Sequence, residues 1–365
     1  MPEASVLDRG EFVMTVCNSC RYCEQYCPVF PAMERRTSFA AGDLAYLANL
    51  CHNCGECLYA CQYAPPHEFG INVPKTLAEI RVRSYESYCW PGALGAAFSH
   101  HSVSTALGLV AVFAAVLMGA GWVAHGGDLW RATAGDFYSV VPHDVMVGLF
   151  GSVGAFVLLA FGVGLRRFWQ EVHSDSVPPS PTAARRALGD LLTMRHLHTT
   201  GVDCTSGVET RRPWRRWFHH CTFYGFMLCF ASTSVAAIYD GVFGWIAPYG
   251  YASLPVVLGT VGGLGLLVGP VGLLAVRRKR DPELGDAEQT GMDESFIVLL
   301  LVTSATGIAL LLLRNQPAMG TLLMVHLGAV LALFVTLPYG KFVHGLYRTA
   351  ALLKYASESE AEERR

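Results

Sequence analysis

Beyond about residue 100 the chain alternates long apolar runs with short polar segments, whereas residues 1 to about 90 are polar and rich in cysteine. The apolar runs predict membrane-spanning helices at Val103 to Ala124, Pro142 to Leu165, His219 to Tyr239, Leu254 to Val276, Ser295 to Leu313 and Thr321 to Val343. Each is near the roughly 20 residues that a bilayer core demands of a helix. The boundary with the polar segment falls near Trp90-Pro91-Gly92. This predicts a mainly α protein with a domain over residues 1–90, a six-helix transmembrane bundle over 91–356 and a charged, frayed tail over 357–365.

The polar segments differ in charge. Arg166 and Arg167, the Arg185 to Arg216 stretch, Arg277 to Arg280 and Lys341 to Lys354 fall on one side of the predicted bundle, with Arg131 and Arg314 on the other. Positively charged loops stay inside, so both termini are expected in the cytoplasm, in a multi-pass protein of the inner membrane. The loop over 167–218 begins Pro-rich at Pro178, Pro179 and Pro181 and then reads as a short helix around Ala183 to Met194. Met1 to Glu11 carries neither an apolar signal core nor a twin arginine, so the segment before the first span is expected to remain inside.

Composition agrees: 15% of residues are charged and 52% hydrophobic, and the formal net charge of −2 gives no reason to expect nucleic-acid binding.

Eight of the twelve cysteines lie between Cys17 and Cys61. Cys17-x2-Cys20-x2-Cys23-x3-Cys27-Pro28 has the spacing of bacterial ferredoxins, and Cys51-x2-Cys54-x2-Cys57-x3-Cys61 repeats it without the proline. In such runs three sulfurs meet one cluster and the fourth reaches the other. The expected ligands are therefore Cys17, Cys20, Cys23 and Cys61 for one [4Fe–4S] cluster and Cys51, Cys54, Cys57 and Cys27 for a second. Zinc is the alternative, but zinc sites pair two short knuckles across a longer loop. Phe39 to Leu50, between the runs, reads as helix, which favours an α-helical ferredoxin domain over a compact β-rich one. Cys89, Cys204, Cys221 and Cys229 are expected to be free thiols.

Histidines supply most of the ionisable residues of the spans: His143, His219, His220, His326 and His344. Paired imidazoles suit haem. His326 and His344, 18 residues apart in the sequence, would share one face of a continuous helix. His143 and His326 are then candidates for an outer haem. His344 with His219 or His220, or else His100 or His101, is the candidate pair for an inner one, which makes one or two b-type haems in all. The glycines from Gly259 to Gly272 lack the order of a dinucleotide loop; Gly259-x3-Gly263 and Gly265-x3-Gly269 predict close helix packing. No flavin fingerprint occurs, so the primary electron donor is expected to be a partner.

The Cys17 run, the Cys51 run, Arg215 through His219-His220, Ala247-Pro248-Tyr249 and Leu254-Pro255 together resemble the tricarballylate and citrate utilisation protein B family. The resemblance implies a subunit, not a stand-alone enzyme, that reoxidises the reduced flavin of a soluble FAD-dependent tricarballylate dehydrogenase and delivers electrons to the quinone pool. Similar modules are fused to a flavoprotein of cobalamin ring contraction, which leaves electron supply to a cobalamin-biosynthesis flavoprotein as an alternative. The paired histidines are similar in spacing to those of the dihaem subunit of nitrate reductase. A tricarboxylate transporter with a redox-sensing cluster domain is the alternative of another class; the spans lack the midplane Arg or Lys such a substrate needs.

Overall fold

A computed structural model of the chain describes residues 5–98, 103–124, 126, 136–173, 178–197, 214–279 and 281–364. Among these residues there is no strand; fourteen α-helices and one short 3-10 turn form the fold.

The cysteine segment is helical. α1 (Val6–Cys20) opens on a reciprocal cap between Ser5 and Asp8 and closes at Arg21, whose left-handed backbone lets its N–H reach the Cys17 carbonyl. α2 (Val29–Glu34) follows Pro28, and α3 (Ala41–Leu50) carries Leu44, Tyr46, Leu47 and Leu50, all essentially inaccessible. α4 (Glu56–Tyr59) is one turn, and α5 (Val73–Tyr88) is capped by the Asn72 side chain with Pro74 in its first turn. Met14, Met33, Leu47, Leu77 and Ile80 close the core among these helices, each worth about 1.5–3 kcal/mol on full burial.

α6 (Gly92–Phe98) leads into the apolar bundle: α7 (Val103–Ala124), α8 (His143–Val172), α10 (Trp214–Gly241), α11 (Leu254–Arg278), α12 (Ala287–Leu312) and α13 (Met319–Thr336). Among the described residues six helices are long and apolar enough to cross a membrane. Outward-facing Val112, Val116, Leu158 and Val261 are exposed because lipid, not protein, covers them. α10 and α11 pack closest: Gly262, Gly265 and Gly269 lie against the α10 backbone, where a Cβ on Gly269 would sit 2.6 Å from the Thr222 nitrogen. Gly263 faces α12, where Ser304 donates to its carbonyl. The close series thus follows steps of three and four from Gly259 through Gly262, Gly265 and Gly269 to Gly272, and Gly263 serves a second neighbour.

Two expectations are corrected. The last span ends at Thr336, and His344 belongs to a separate helix, α14 (Val343–Glu363). Pro338 cannot donate a helical hydrogen bond, and Gly340 turns back to the Thr336 carbonyl, so the shared face of His326 and His344 does not exist. The tail is not frayed. α14 continues to Glu363, buries Ala356 and Ser357, and pairs Glu358 with Arg36 (2.7 Å) and Glu362 with Arg35 (2.8 Å). α14 lies on α9 (Pro181–Thr193) and on α3, and a single core joins Leu47 and Tyr85 to Phe168 of α8, Ala187 of α9 and Tyr347 of α14.

Candidate functional site

The local folding of the cysteine segment places its thiols in two groups. Cys17 and Cys20 lie in the last turn of α1, Cys23 in the turn after it, and Cys61 follows α4. These four line a cavity of about 220 Å³ together with Val16, Phe30, Ile71 and Val73, and Cys57 lines it too. Burial, then Cys61, Cys23 and Cys20, push the Cys17 thiol up to about 12. Burial, then Cys61 and Cys20, do the same to Cys23. The second group gathers Cys27, just before α2, with Cys51 and Cys54 of the turn after α3 and Cys57 of α4. Burial first, then mutual crowding, raises Cys27 and Cys57 well above the usual thiol value.

Thiolates so placed need cationic compensation, which an all-sulfur donor set takes from iron or another soft metal. Among the described residues no three His, Cys, Asp or Glu side chains converge tightly enough for one ion. The first group surrounds a volume instead, which fits an iron–sulfur cluster better than zinc.

The second group has a shell that the first lacks. The turn from Cys51 to Gly55 is bent by left-handed backbone at Asn53 (φ 51°) and Gly55 (φ 93°). Three guanidiniums hold its carbonyls. Arg81 of α5 donates to Ala48 (2.8 Å) and Cys51 (2.9 Å), Arg348 of α14 to Asn49 (3.3 Å) and Cys51 (2.5 Å), and Arg215 of α10 to His52 (2.9 Å) and Asn53 (3.2 Å). Two last-turn carbonyls of α3, Ala48 and Asn49, are thereby satisfied from α5 and α14, while α10 holds the carbonyls of the turn that follows. Asn53 N–H also donates to the Cys51 sulfur at 3.3 Å.

Below this turn lies a cavity of about 1030 Å³, reached by Cys54, Arg215, His219 and His344. The His219 and His344 rings are nearly parallel, with centroids 6.0 Å apart. Two imidazoles on one metal, each bound at about 2 Å, need a ring separation of this size. His344 Nδ1 contacts the Lys341 carbonyl at 2.5 Å, which holds that nitrogen protonated and leaves Nε2 as the donor. Burial, then Lys341 and Arg348, hold His344 well below its ordinary value, so it is neutral, as a metal ligand must be. Lys341 in turn pairs with Asp293 of α12 at 2.7 Å, and Arg277 of α11 shares that carboxylate. The chemistry of this pocket fits a haem.

The other predicted ligands are not brought together. His220 packs on Tyr224, and of that pair it is His219 whose ring lies against His344. His143 places Nε2 2.8 Å from Asp240, and His326 places Nδ1 3.0 Å from Thr306 of α12; among the described residues the two make no contact with each other. Each ring is instead held by a polar partner of its own, Asp240 for His143 and Thr306 for His326. His100, His101 and Cys204 lie outside the described residues, while Cys89, Cys221 and Cys229 are free thiols.

Sequence reasoning missed Arg81, Arg348, Lys341 and Asp293. Lys341 and Arg348 read as orientation signals, and Arg81 carried no sequence signal of its own. Asp293 stood two positions before the predicted span at Ser295, although an acid at that edge facing Arg277 and Lys341 was the available clue.

Comparison with known proteins follows the same division. A model of the citrate utilization protein B Fer4-like domain matches residues 11–87, and that of citrate utilization protein B matches residues 100–365. The chain is 50% identical over 361 residues to citrate utilization protein B of Escherichia coli, covering 98% of this chain and 93% of that protein. No solved structure matches.

Proposed function

The chain belongs to the citrate utilization protein B family, and from that membership we propose a membrane electron-transfer protein with a defined route. It reoxidises the reduced flavin of a soluble FAD-dependent dehydrogenase of tricarballylate or citrate utilisation and delivers the electrons to membrane quinone. Cys17, Cys20, Cys23 and Cys61 hold one [4Fe–4S] cluster, Cys27, Cys51, Cys54 and Cys57 hold the other, and His219 with His344 hold a b-type haem. These cofactors exchange single electrons, which divides the two-electron oxidation of a flavin.

The observation that carries the reading is the large cavity: a thiol of the second group and two nearly parallel imidazoles line the same space. Residues 1–90 serve as the receiving domain and 91–356 as the membrane domain. The protein sits in the inner membrane with both termini cytoplasmic, an orientation supported by Arg166, Arg167, Arg277, Arg278 and Lys341 at the bundle end that meets the cysteine segment.

The test is an absorbance difference spectrum of the detergent-solubilised protein with its flavoprotein, adding tricarballylate or citrate first and dithionite second. Reduced b-type bands after the organic acid alone are the expected result. Bands after dithionite only would count against the partner or substrate, and no bands at all against the haem.

A further inference from the structure

The two cysteine groups have nearly the same spacing in sequence but opposite electrical surroundings. Around Cys17, Cys23 and Cys61 the charged neighbours are the other thiols, and the backbone N–H groups of Tyr63 and Ala64 donate to the Cys61 sulfur. Around the second group stand Arg81, Arg215 and Arg348, each bonded to a carbonyl of residues 48–53, against the carboxylate of Glu56 and that of Asp293, which is already paired with Lys341 and Arg277. Adding an electron to a buried site adds negative charge where water cannot screen it. Burial alone would therefore make the second group the harder one to reduce. Three guanidiniums close to the same loop reverse that order, because a cation stabilises the reduced form most in a medium of low dielectric. The Asn53 N–H on the Cys51 sulfur acts in the same direction.

We propose that Arg81, Arg215 and Arg348 are positioning residues that set the reduction potential of the Cys27/Cys51/Cys54/Cys57 site above that of the Cys17/Cys20/Cys23/Cys61 site. This rests on the cluster assignment above. The charge asymmetry gives the transfer its direction: the thiol group facing its own small cavity receives the electron, and the group beside His219 and His344 holds it more tightly and is placed to pass it into the bundle. Two of the three arginines come from helices of the membrane half, so the second site acquires its potential only when the two halves are docked.

The test is a redox titration of the full-length protein in detergent, followed by electron paramagnetic resonance with iron and sulfide quantified. The second site's signal is identified by its loss in Cys54→Ala. In Arg215→Gln and in Arg348→Gln the midpoint of that signal is expected to fall by the equivalent of at least a tenfold weaker electron affinity, about 59 mV for one electron. The other midpoint stays in place, and Arg215→Lys retains the wild-type value. Unmoved midpoints in both Gln variants overturn the proposal, as does a fall in Arg215→Lys equal to that in Arg215→Gln, which would assign the effect to hydrogen bonds and not charge. Loss of the second signal in both Gln variants also counts against it and marks the arginines as structural. A wild-type preparation without cluster iron overturns the underlying assignment instead, which iron analysis distinguishes.

Discussion

The two cysteine groups share a spacing and differ in what surrounds them. The first is built almost wholly from the amino-terminal helices: its cavity is lined by α1, α4 and nearby residues of the same segment. The second is built jointly, since its loop is held by α5 of that segment and by α10 and α14 from the other end of the chain. A repeated motif thus yields two inequivalent sites, and the difference arises from contacts far apart in sequence.

The crossed sharing of ligands gives the largest effect by which to break this comparison. Cys61 lines the first cavity although it belongs to the second run, and Cys27 neighbours Cys51 and Cys54 although it belongs to the first. Cys61→Ala is expected to abolish the first cluster's signal and about halve the iron content, with the second signal retained; Cys27→Ala does the reverse. If Cys61→Ala instead removed the second signal, each run would serve its own cluster and the geometric grouping would be wrong.

His344→Ala comes next. It should remove the b-type absorbance while leaving both cluster signals, because the His344 ring bonds to the Lys341 carbonyl and Arg348, not His344, holds the cysteine loop. His220→Ala, whose ring packs on Tyr224 on the other side of α10, should leave haem content unchanged. A haem content that survives His344→Ala would empty the cavity of its proposed role and leave the second group to meet quinone directly.

The legibility of the sequence divided along the same line. Cysteine spacing depends on local turns, so it pointed to both groups and to the crossed grouping, and the apolar runs located six long helices because bilayer thickness fixes their length. Periodicity failed at Pro338, where an apolar stretch through Tyr339 hid a break and put His344 on the wrong helix. It failed again at the tail: the charges of Glu358 and Glu362 read as solvated until the structure showed Arg36 and Arg35 opposite them. The arginine clamp was out of reach for the same reason. An arginine near a membrane face has one sequence signature whether it meets lipid phosphate or a carbonyl of a cysteine loop, and only tertiary contact decides.

The smallest effect sharpens the comparison through α10, which carries both Arg215 and His219. α10 is held against α11 by the absence of side chains. A Cβ on Gly269 would lie 2.6 Å from the Thr222 nitrogen and 2.7 Å from the Phe218 carbonyl oxygen, and backbone atoms cannot swing aside as a side-chain tip can. Gly269→Ala must therefore move the two helices apart, at the roughly 1–3 kcal/mol typical of overpacking. Phe218 lies one turn beyond Arg215, next to His219, and Thr222 one turn further, so the displacement reaches the second group and the histidine pair first. The expected outcome is a lower melting temperature, weaker haem retention and a shifted second-cluster signal, with the first-cluster signal unchanged because every residue lining its cavity belongs to the amino-terminal segment. Equal disturbance of both signals would show that the amino-terminal segment responds as one body, and the contrast between a locally built site and a jointly built one would fail.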